Sequence, residues 1–496
     1  MSVPALRIRN ANRAPLKPSG DYVLYWMLAA RRPTYNFGLE RALELGRELG
    51  KPVLVLEALT SGYRWASDRL HQFVIQGMAD NQAAFAKTCV HYYPYVEPSA
   101  GAGRGLVEAL ASSAAAVVAD DFPCFFLPRL LASVSARLPV RCEAVDGNGI
   151  LPIRLAEREF ARAFDFRRYL AKIWLDHVSS APKAEPLRGL RLPRLEAAPR
   201  DVLRRWPMAA AGLLALEPKA LSRLPIDHGV APSTTPGGHR AAERALTRFC
   251  EQRLSGYAEE RNHPDSSVTS ELSPYLHFGH VSAHDVLARV LDHDELSVAD
   301  LEPAPSSQKS PFFQLRPGPA AFVDQLITWR ELGYNFCVRQ PRDHDQYASL
   351  PEWARRSLAT HATDAREKLY SAAAIEQAKT ADPLWNAAQR QLVESGHMHN
   401  YLRMLWGKRV LNWTRTPEQA YQLLVELNNK YALDGRNPNS YSGIGWCFGR
   451  YDRPWGPERP VYGLIRYMTS ESAQRKLHLK QYLQRWGGER KLPGFG

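Results

Sequence analysis

The 496-residue chain contains no apolar run of the ~18 residues that a membrane-spanning helix needs. It contains no cysteine pair spaced CxxC and no GxGxxG after its first strand-like run. The first absence excludes a helix that crosses a bilayer. The second excludes a zinc site of the usual spacing and a disulfide framework, because the six cysteines stand apart at 89, 124, 142, 250, 337 and 447. Scattered cysteines suit a reducing compartment. The third absence removes the usual dinucleotide fingerprint. Residues 1–20 are basic and contain proline but lack the apolar core of a signal peptide, so they read as an N-terminal extension. The expectation is a cytoplasmic protein that needs neither a metal nor a membrane.

Negative charge is also in deficit. Against 51 Asp and Glu stand 64 Lys and Arg, a formal net charge of +13. Such a balance favours a nucleic-acid partner, bound through phosphate contacts and counterion release. A preference for arginine across a whole proteome gives the same number, so charge alone does not decide.

Strand-like and helix-like runs alternate at first. The apolar runs 22–28, 52–56, 90–96, 114–119 and 140–145 have strand length. Helical spacing fills 36–49 (closed by Gly50), 68–87, 105–112 and 127–138. This alternation predicts a doubly wound parallel α/β sheet of the Rossmann-like kind over 21–150. Residues from 155 to about 175 look helical and basic. A connector rich in Pro, Arg and Ala closes the stretch 151–237, and from 238 to 496 only helical patterns recur. Residues 302–319 hold five prolines and read as a loop.

Several constellations in the helical half carry chemistry. TSELSPYL at 269–276 sets hydroxyls before a helix, which suits either a phosphate cradle or plain N-capping. In FVDQLITWRELGYN (322–335), Phe322, Leu326, Trp329 and Leu332 form a helical stripe that an ordinary core would also use. Trp406 and Trp413 lie two turns apart on one helix face, with Trp385 on the helix before. Three core aromatics would look the same. A buried Arg403 must be paired. Asn428 sits near the end of a helix opened by the capped start TPEQ at 416–419. Trp446, Asp452, Arg453 and Trp455 occupy a glycine- and aromatic-rich tract. Five of the chain's 12 tryptophans fall between 384 and 468, beside Arg, Asn and Asp. That mixture suits a large planar ligand with a polar tail better than a simple helical core.

This stretch resembles the C-terminal half of the DNA photolyase/cryptochrome family, most closely the class II cyclobutane pyrimidine dimer (CPD) photolyases. The likeness returns at 269–279 and 322–337 and is weaker in the first 150 residues. It implies an α/β domain followed by an all-helical FAD domain. It assigns Thr269, Ser270, Glu271, Leu272 and Ser273 to the FAD pyrophosphate, with Tyr257 nearby. It pairs Arg403 with Asp434 beside the isoalloxazine and sets Asn428 against flavin N5. Trp329 and Trp446 would clasp the flipped dimer, with Met404 touching it, Arg261 on the DNA and Arg453 in the gap left by the bases. Trp385, Trp406 and Trp413 would pass an electron from the surface to the flavin, Trp406 nearest the ring. The chain departs from the family twice. Gln325 stands where Glu is usual against the dimer carbonyls, and an amide holds no proton to share. Asn429 stands where Asp is common, removing a negative charge near the flavin.

The implied function is light-driven repair of UV-damaged DNA by a monomer. Fully reduced FADH⁻ gives an electron to a flipped-out pyrimidine dimer, whose cyclobutane ring splits. Relatives hold an antenna chromophore, an 8-hydroxy-deazaflavin or a folate, on the α/β domain, and nothing in this sequence chooses between them. Gln325 and Asn429 keep a cryptochrome-like blue-light receptor open as the alternative. Both clasping tryptophans and Arg453 weigh against it.

Overall fold

The computed structural model describes residues 2–305, 310–488, 492, 494 and 495. Six strands form one sheet: β1 (Ile8–Asn10), β2 (Tyr22–Met27), β3 (Val53–Leu59), β4 (His91–Val96), β5 (Ala114–Asp120) and β6 (Cys142–Val145). They lie in the order β1-β6-β5-β2-β3-β4. The pairs among β2 to β6 are parallel, as the alternating pattern predicts. Every residue of β2 and β5 is buried, because helices cover both faces. Asn36 caps the first long helix, Phe37–Leu49, by accepting from the Leu39 N–H at 3.0 Å, and Gly50 ends it at φ +64°.

The structure corrects the reading of the first 20 residues as a mere extension. β1 adds an antiparallel edge, with Ile8 opposite Val145 and Asn10 opposite Glu143. Three residues are too few to show a period. What holds them is tertiary: Arg9 binds both oxygens of Asp121 at 2.9 Å.

The connection order reverses between β2 and β5, which opens a crevice at their C-terminal ends. Asp120 fills it, accepting from the backbone N–H groups of Leu28, Ala29 and Ala30 at 2.7–2.8 Å and from the Tyr25 hydroxyl at 2.8 Å. Beyond β6 the chain runs through turns and bends until Ala163–Val178, so this helix starts eight residues later than its pattern predicts. Arg162 is held in a β-bridge to Tyr451 instead. The Pro- and Arg-rich stretch then crosses the α/β half with only short helices, and Trp206 anchors it through an indole N–H donated to the Ala102 carbonyl at 2.8 Å. Residues 306–309 of the expected loop lie outside the described residues, and its end, Pro317–Val323, is helical.

Helices Pro383–Ser395, Asn400–Trp413, Pro417–Tyr431 and Pro438–Cys447 pack around one large apolar cluster. Two buried groups tie it to the α/β half. Glu331 accepts from the N–H groups of Ile150 and Leu151 at 2.6 and 3.0 Å, and burial raises its carboxyl to about 7. Arg69, 1% exposed, donates to the carbonyls of Ala231, Leu392, Val393, Glu394 and Tyr431 at 2.7–3.3 Å. Three of these close the C-terminal turn of Pro383–Ser395, where helix carbonyls lack intrahelical partners.

Arg69→Met strands those carbonyls. It is expected to cost about 3 kcal/mol in a urea titration, from hydrogen bonds to a charged group of roughly 1.5–3 kcal/mol each, partly recovered by relaxation. A loss under about 1 kcal/mol would show that the carbonyls find other donors.

Candidate functional site

Helix Asn400–Trp413 carries three kinds of group within four residues: Arg403, Met404 and Trp406. Arg403 reaches Asp434 at 3.0 Å. Burial pushes the Asp434 carboxyl up, but the Arg403 guanidinium and the Ser273 hydroxyl outweigh it and hold the group below its ordinary value. Ser273 belongs to the 269–276 segment, so cradle and ion pair converge on one place. In that segment Glu271 takes φ +58°, Arg253 donates to the Thr269 carbonyl at 3.0 Å and pairs with Glu271 at 3.2 Å, and the Leu272 N–H donates to the Ser270 hydroxyl at 3.3 Å. The short helix Ser273–Phe278 follows.

Asn428 and Asn429 are both buried on helix Pro417–Tyr431, whose start Thr416 caps by accepting from Gln419 at 3.2 Å. The Asn428 amide donates only a long 3.4 Å bond, to Asn429 Oδ1. The expectation for Asn429 is a missing charge beside the flavin. Its amide holds a turn in place. It accepts from the Arg436 N–H at 2.9 Å and donates to the Tyr441 hydroxyl at 3.3 Å. Arg436, also buried, donates to the carbonyls of Ala432 and Leu433 at 3.1 and 3.3 Å. This turn carries Asp434.

The three tryptophans come together. Trp385 and Trp413 stand edge to face with centroids 5.1 Å apart, and the Trp385 indole donates to the Trp406 carbonyl at 3.0 Å. The Trp406 indole donates to Gln389 Oε1 at 2.8 Å. The resemblance has the electron enter from the surface, and all three rings are buried, Trp413 at 3% exposed. The half-buried ring of Tyr370 stands 5.5 Å from it, edge on, so the aromatic row continues to Tyr370.

Trp329 does not obey the helical stripe. Asp324–Trp329 forms a π-helical turn between Pro317–Val323 and Arg330–Arg339. The wider turn shifts the register that follows. Leu326, Ile327 and Thr328 take the buried positions and Trp329 is left half exposed. π-turns of this kind recur at functional sites. Arg167 lies 5.5 Å from the Trp329 centroid, held by both oxygens of Asp324 at 2.7 and 2.8 Å. Gln325, in the same turn, makes no side-chain hydrogen bond among the described residues. Arg261 lies over the Tyr257 ring at 5.6 Å, and Tyr257 packs on Phe322 at 5.4 Å.

Trp446, Trp329 and Tyr257 flank one apolar cluster. Met404 lies beside Trp446's neighbour, its carbonyl accepting from the Cys447 thiol at 3.7 Å. Arg453 is exposed over Trp455, whose indole donates to Asp452 at 2.8 Å. Two cations sit on the ring of Trp446 that sequence reasoning missed: Lys408 at 5.1 Å and Arg466 at 5.9 Å. Lys408 is 1% exposed and its ammonium has no hydrogen-bond partner among the described residues. Its position two residues past Trp406 was the only signal for it.

Similarity to known proteins runs along nearly the whole chain. No family model matches it. The deoxyribodipyrimidine photo-lyase of Methanothermobacter thermautotrophicus is 31% identical over 491 residues, 98% of this chain and 99% of that protein. The deoxyribodipyrimidine photo-lyase of Oryza sativa subsp. japonica is 32% identical over 495 residues, 96% of this chain and 89% of that one. A crystal structure of a bacterial class III photolyase from Agrobacterium tumefaciens superposes with a TM-score of 0.66 at 18% identity, covering 95% of this chain and 87% of that chain. At that identity it shows a shared fold.

Burial lowers the Lys408 ammonium to about 8 from an ordinary 10.5, with Arg466 adding to the shift and Cys447 and Asp452 opposing it. The unfolded chain therefore binds more protons between those values, and stability contributed by this group rises with pH from about 8 to 10.5. Lys408→Met is expected to stabilise the protein at pH 7 by about 3 kcal/mol and to flatten that rise. Parallel urea titrations of both proteins across the range check it. An equal or lower stability for the variant would mean that the ammonium is compensated.

Proposed function

Because the chain belongs to the deoxyribodipyrimidine photo-lyase family, whose members are light-driven DNA-repair lyases, we propose that it acts as a class II enzyme on cyclobutane pyrimidine dimers in UV-damaged DNA. One observation carries this reading: a single helix turn presents the polar clamp Arg403, the pocket residue Met404 and the head of the aromatic row, Trp406. A planar redox cofactor beside Arg403 would then lie within one turn of Asn400–Trp413 from both the substrate pocket and the aromatic row.

Photolyases bind FAD, and the residues present fit it. The Arg403–Asp434 pair is partly exposed and offers both a donor and an acceptor. The Asn428 amide has bonding capacity to spare. Thr269, Ser270, Glu271, Leu272 and Ser273 would hold the pyrophosphate, with Tyr257 beside them. Fully reduced FAD, when bound, supplies on absorbing blue light the electron that opens the cyclobutane ring.

The rest is the work of the chain. A dimer must leave the stack, at a cost of roughly a few kcal/mol, less for a lesion that stacks badly. Trp329 and Trp446 restore the lost stacking and Arg453 fills the gap. The free Gln325 amide donates to and accepts from the lesion's carbonyl and N–H edge, which orients it without a proton to share. Arg167 behind Trp329, with Lys408 and Arg466 behind Trp446, surrounds the pocket with positive charge. Fixed cations in a site that excludes water favour negative charge developing on the substrate. Trp406, Trp385 and Trp413, continued by Tyr370, serve the reduction of the cofactor. The six cysteines are free and, among the described residues, no helix is long and apolar enough to cross a membrane; a cytoplasmic site of action fits both.

The test is recovery of thymine absorbance when the photoreduced protein and a dimer-bearing oligothymidine are illuminated with blue light, against a dark control. Light-dependent recovery is expected. Trp329→Ala should weaken dimer binding about tenfold or more, since base–aromatic stacking is worth ~1–3 kcal/mol. Gln325→Glu should raise the repair yield. A photoreducible flavoprotein that restores no thymine would contradict the assignment.

A further inference from the structure

Among the described residues, one group of metal-ligating side chains meets outside the pocket. Donor atoms of Glu260, His263 and His478 lie within 4.8 Å of one another. Spacing in the sequence conceals them, because 215 residues separate the two histidines. The two imidazoles stack, with centroids 4.0 Å apart and planes 17° from parallel. Glu260 and His263 share the turn that ends the short helix Tyr257–Glu260, where the His263 N–H donates to the Glu260 carbonyl at 2.9 Å. The Ser266 hydroxyl donates to one carboxylate oxygen of Glu260 at 2.5 Å and leaves the other without a partner among the described residues.

Hydrogen bonds from three segments hold this cluster together. The Asp265 carboxylate accepts from the N–H groups of Gln481 and Tyr482 at 3.0 and 2.7 Å, in the first turn of helix Lys480–Trp486. The Asp265 N–H donates to the His478 carbonyl at 3.2 Å. The Tyr482 hydroxyl and the His399 N–H both donate to Gln391 Oε1, at 2.9 and 3.2 Å. His399 is a fourth imidazole, within electrostatic reach of His263. Both of its ring nitrogens are buried, and neither makes a hydrogen bond of good geometry among the described residues. The C-terminal helix, the start of Asn400–Trp413 and the turn after Tyr257–Glu260 are thus pinned around imidazoles and one carboxylate.

We propose that Glu260, His263 and His478 bind a divalent ion of the zinc class, which staples helix Lys480–Trp486 to the segment that carries Tyr257 and Arg261. Donor chemistry selects the ion. Two imidazoles and a carboxylate suit zinc, nickel or copper, whereas magnesium and calcium take oxygen donors. Zinc–ligand bonds of roughly 2.0–2.2 Å set the ligand atoms of a tetrahedron about 3.4 Å apart, so the cluster closes by up to about 1.4 Å on binding. His478 supplies that movement, since it is exposed and its ring makes no hydrogen bond among the described residues. The bond that His263 Nδ1 accepts from the His478 N–H is long, 3.2 Å, and an ion at Nδ1 replaces it. Three protein ligands leave a fourth position, for water or the His399 ring. The ion is structural and takes no part in the light-driven chemistry.

The test uses tag-free full-length protein, treated with a chelator, dialysed, and titrated with cobalt(II) as a coloured stand-in for zinc. One equivalent of cobalt should give visible d–d absorption, read as a difference spectrum at wavelengths beyond the flavin bands. Zinc should displace it and excess magnesium should not. Zinc should also raise Tm by a few degrees, reversibly with EDTA, because it binds the folded chain. His478→Ala and His263→Ala should each abolish the cobalt spectrum and the zinc-dependent rise in Tm. Because His478 is exposed, His478→Ala should melt in EDTA as wild type does, which separates lost binding from lost folding. No d–d absorption from the wild-type protein at one equivalent of cobalt overturns the site. So does equal zinc affinity in wild type and His478→Ala, which would place the ion elsewhere.

Discussion

A half-buried carboxylate sets the plan of the helical half. Asp434 is held charged, largely out of solvent, by Arg403 on one side and Ser273 on the other. An unpaired charge there would be far too costly to keep. The pairing therefore obliges three segments to meet: the Ser-rich tract before Ser273–Phe278, the helix Asn400–Trp413, and the turn after Pro417–Tyr431. Arg436 and Asn429 lock that turn from beneath, through carbonyls and amides rather than a second carboxylate. Once Asp434 is placed, Arg403 fixes the rotation of its helix. The same rotation sends Trp406 inward to the aromatic row and leaves Met404 partly open beside Trp446.

Positive charge is distributed around this carboxylate in an uneven way. Arg69 and Arg436 are buried among carbonyl groups, at the ends of helices where acceptors lack partners. Lys408 is different, for among the described residues its ammonium meets an aromatic face and no hydrogen-bond acceptor. A fold selected for stability alone would have little use for it. Strain and unmatched charge gather where a site needs a preset field. The π-helical turn under Gln325 and Trp329 belongs to the same class, since it takes a large ring out of the core.

The sequence made the frame legible wherever one period ruled a whole element. The five parallel strands and the helices between them are apolar runs and helical stripes of ordinary length. Asn36, Gly50 and Thr416 cap helices as their types predict. The three tryptophans were legible as a set because spacing and family resemblance agreed. What stayed hidden was decided by residues distant in sequence. β1 has three residues and is held by Arg9 on Asp121. Arg162 is drawn out of its helix by Tyr451. Trp329 leaves the core because one turn changes its hydrogen-bond pattern, which side-chain periodicity does not report. Nothing in the sequence around Asn429 announces its hydrogen bond with the Arg436 N–H.

The central claim is that the helical half holds one light-driven electron-transfer site, in which the tryptophan row serves reduction and the two-tryptophan pocket serves the lesion. Trp406→Phe separates these. The decisive measurement follows flavin photoreduction in that variant without DNA, and dimer repair after chemical reduction in the dark. The account predicts that photoreduction is lost while repair by the chemically reduced protein persists. Photoreduction at the wild-type rate, or loss of both activities together, would contradict it.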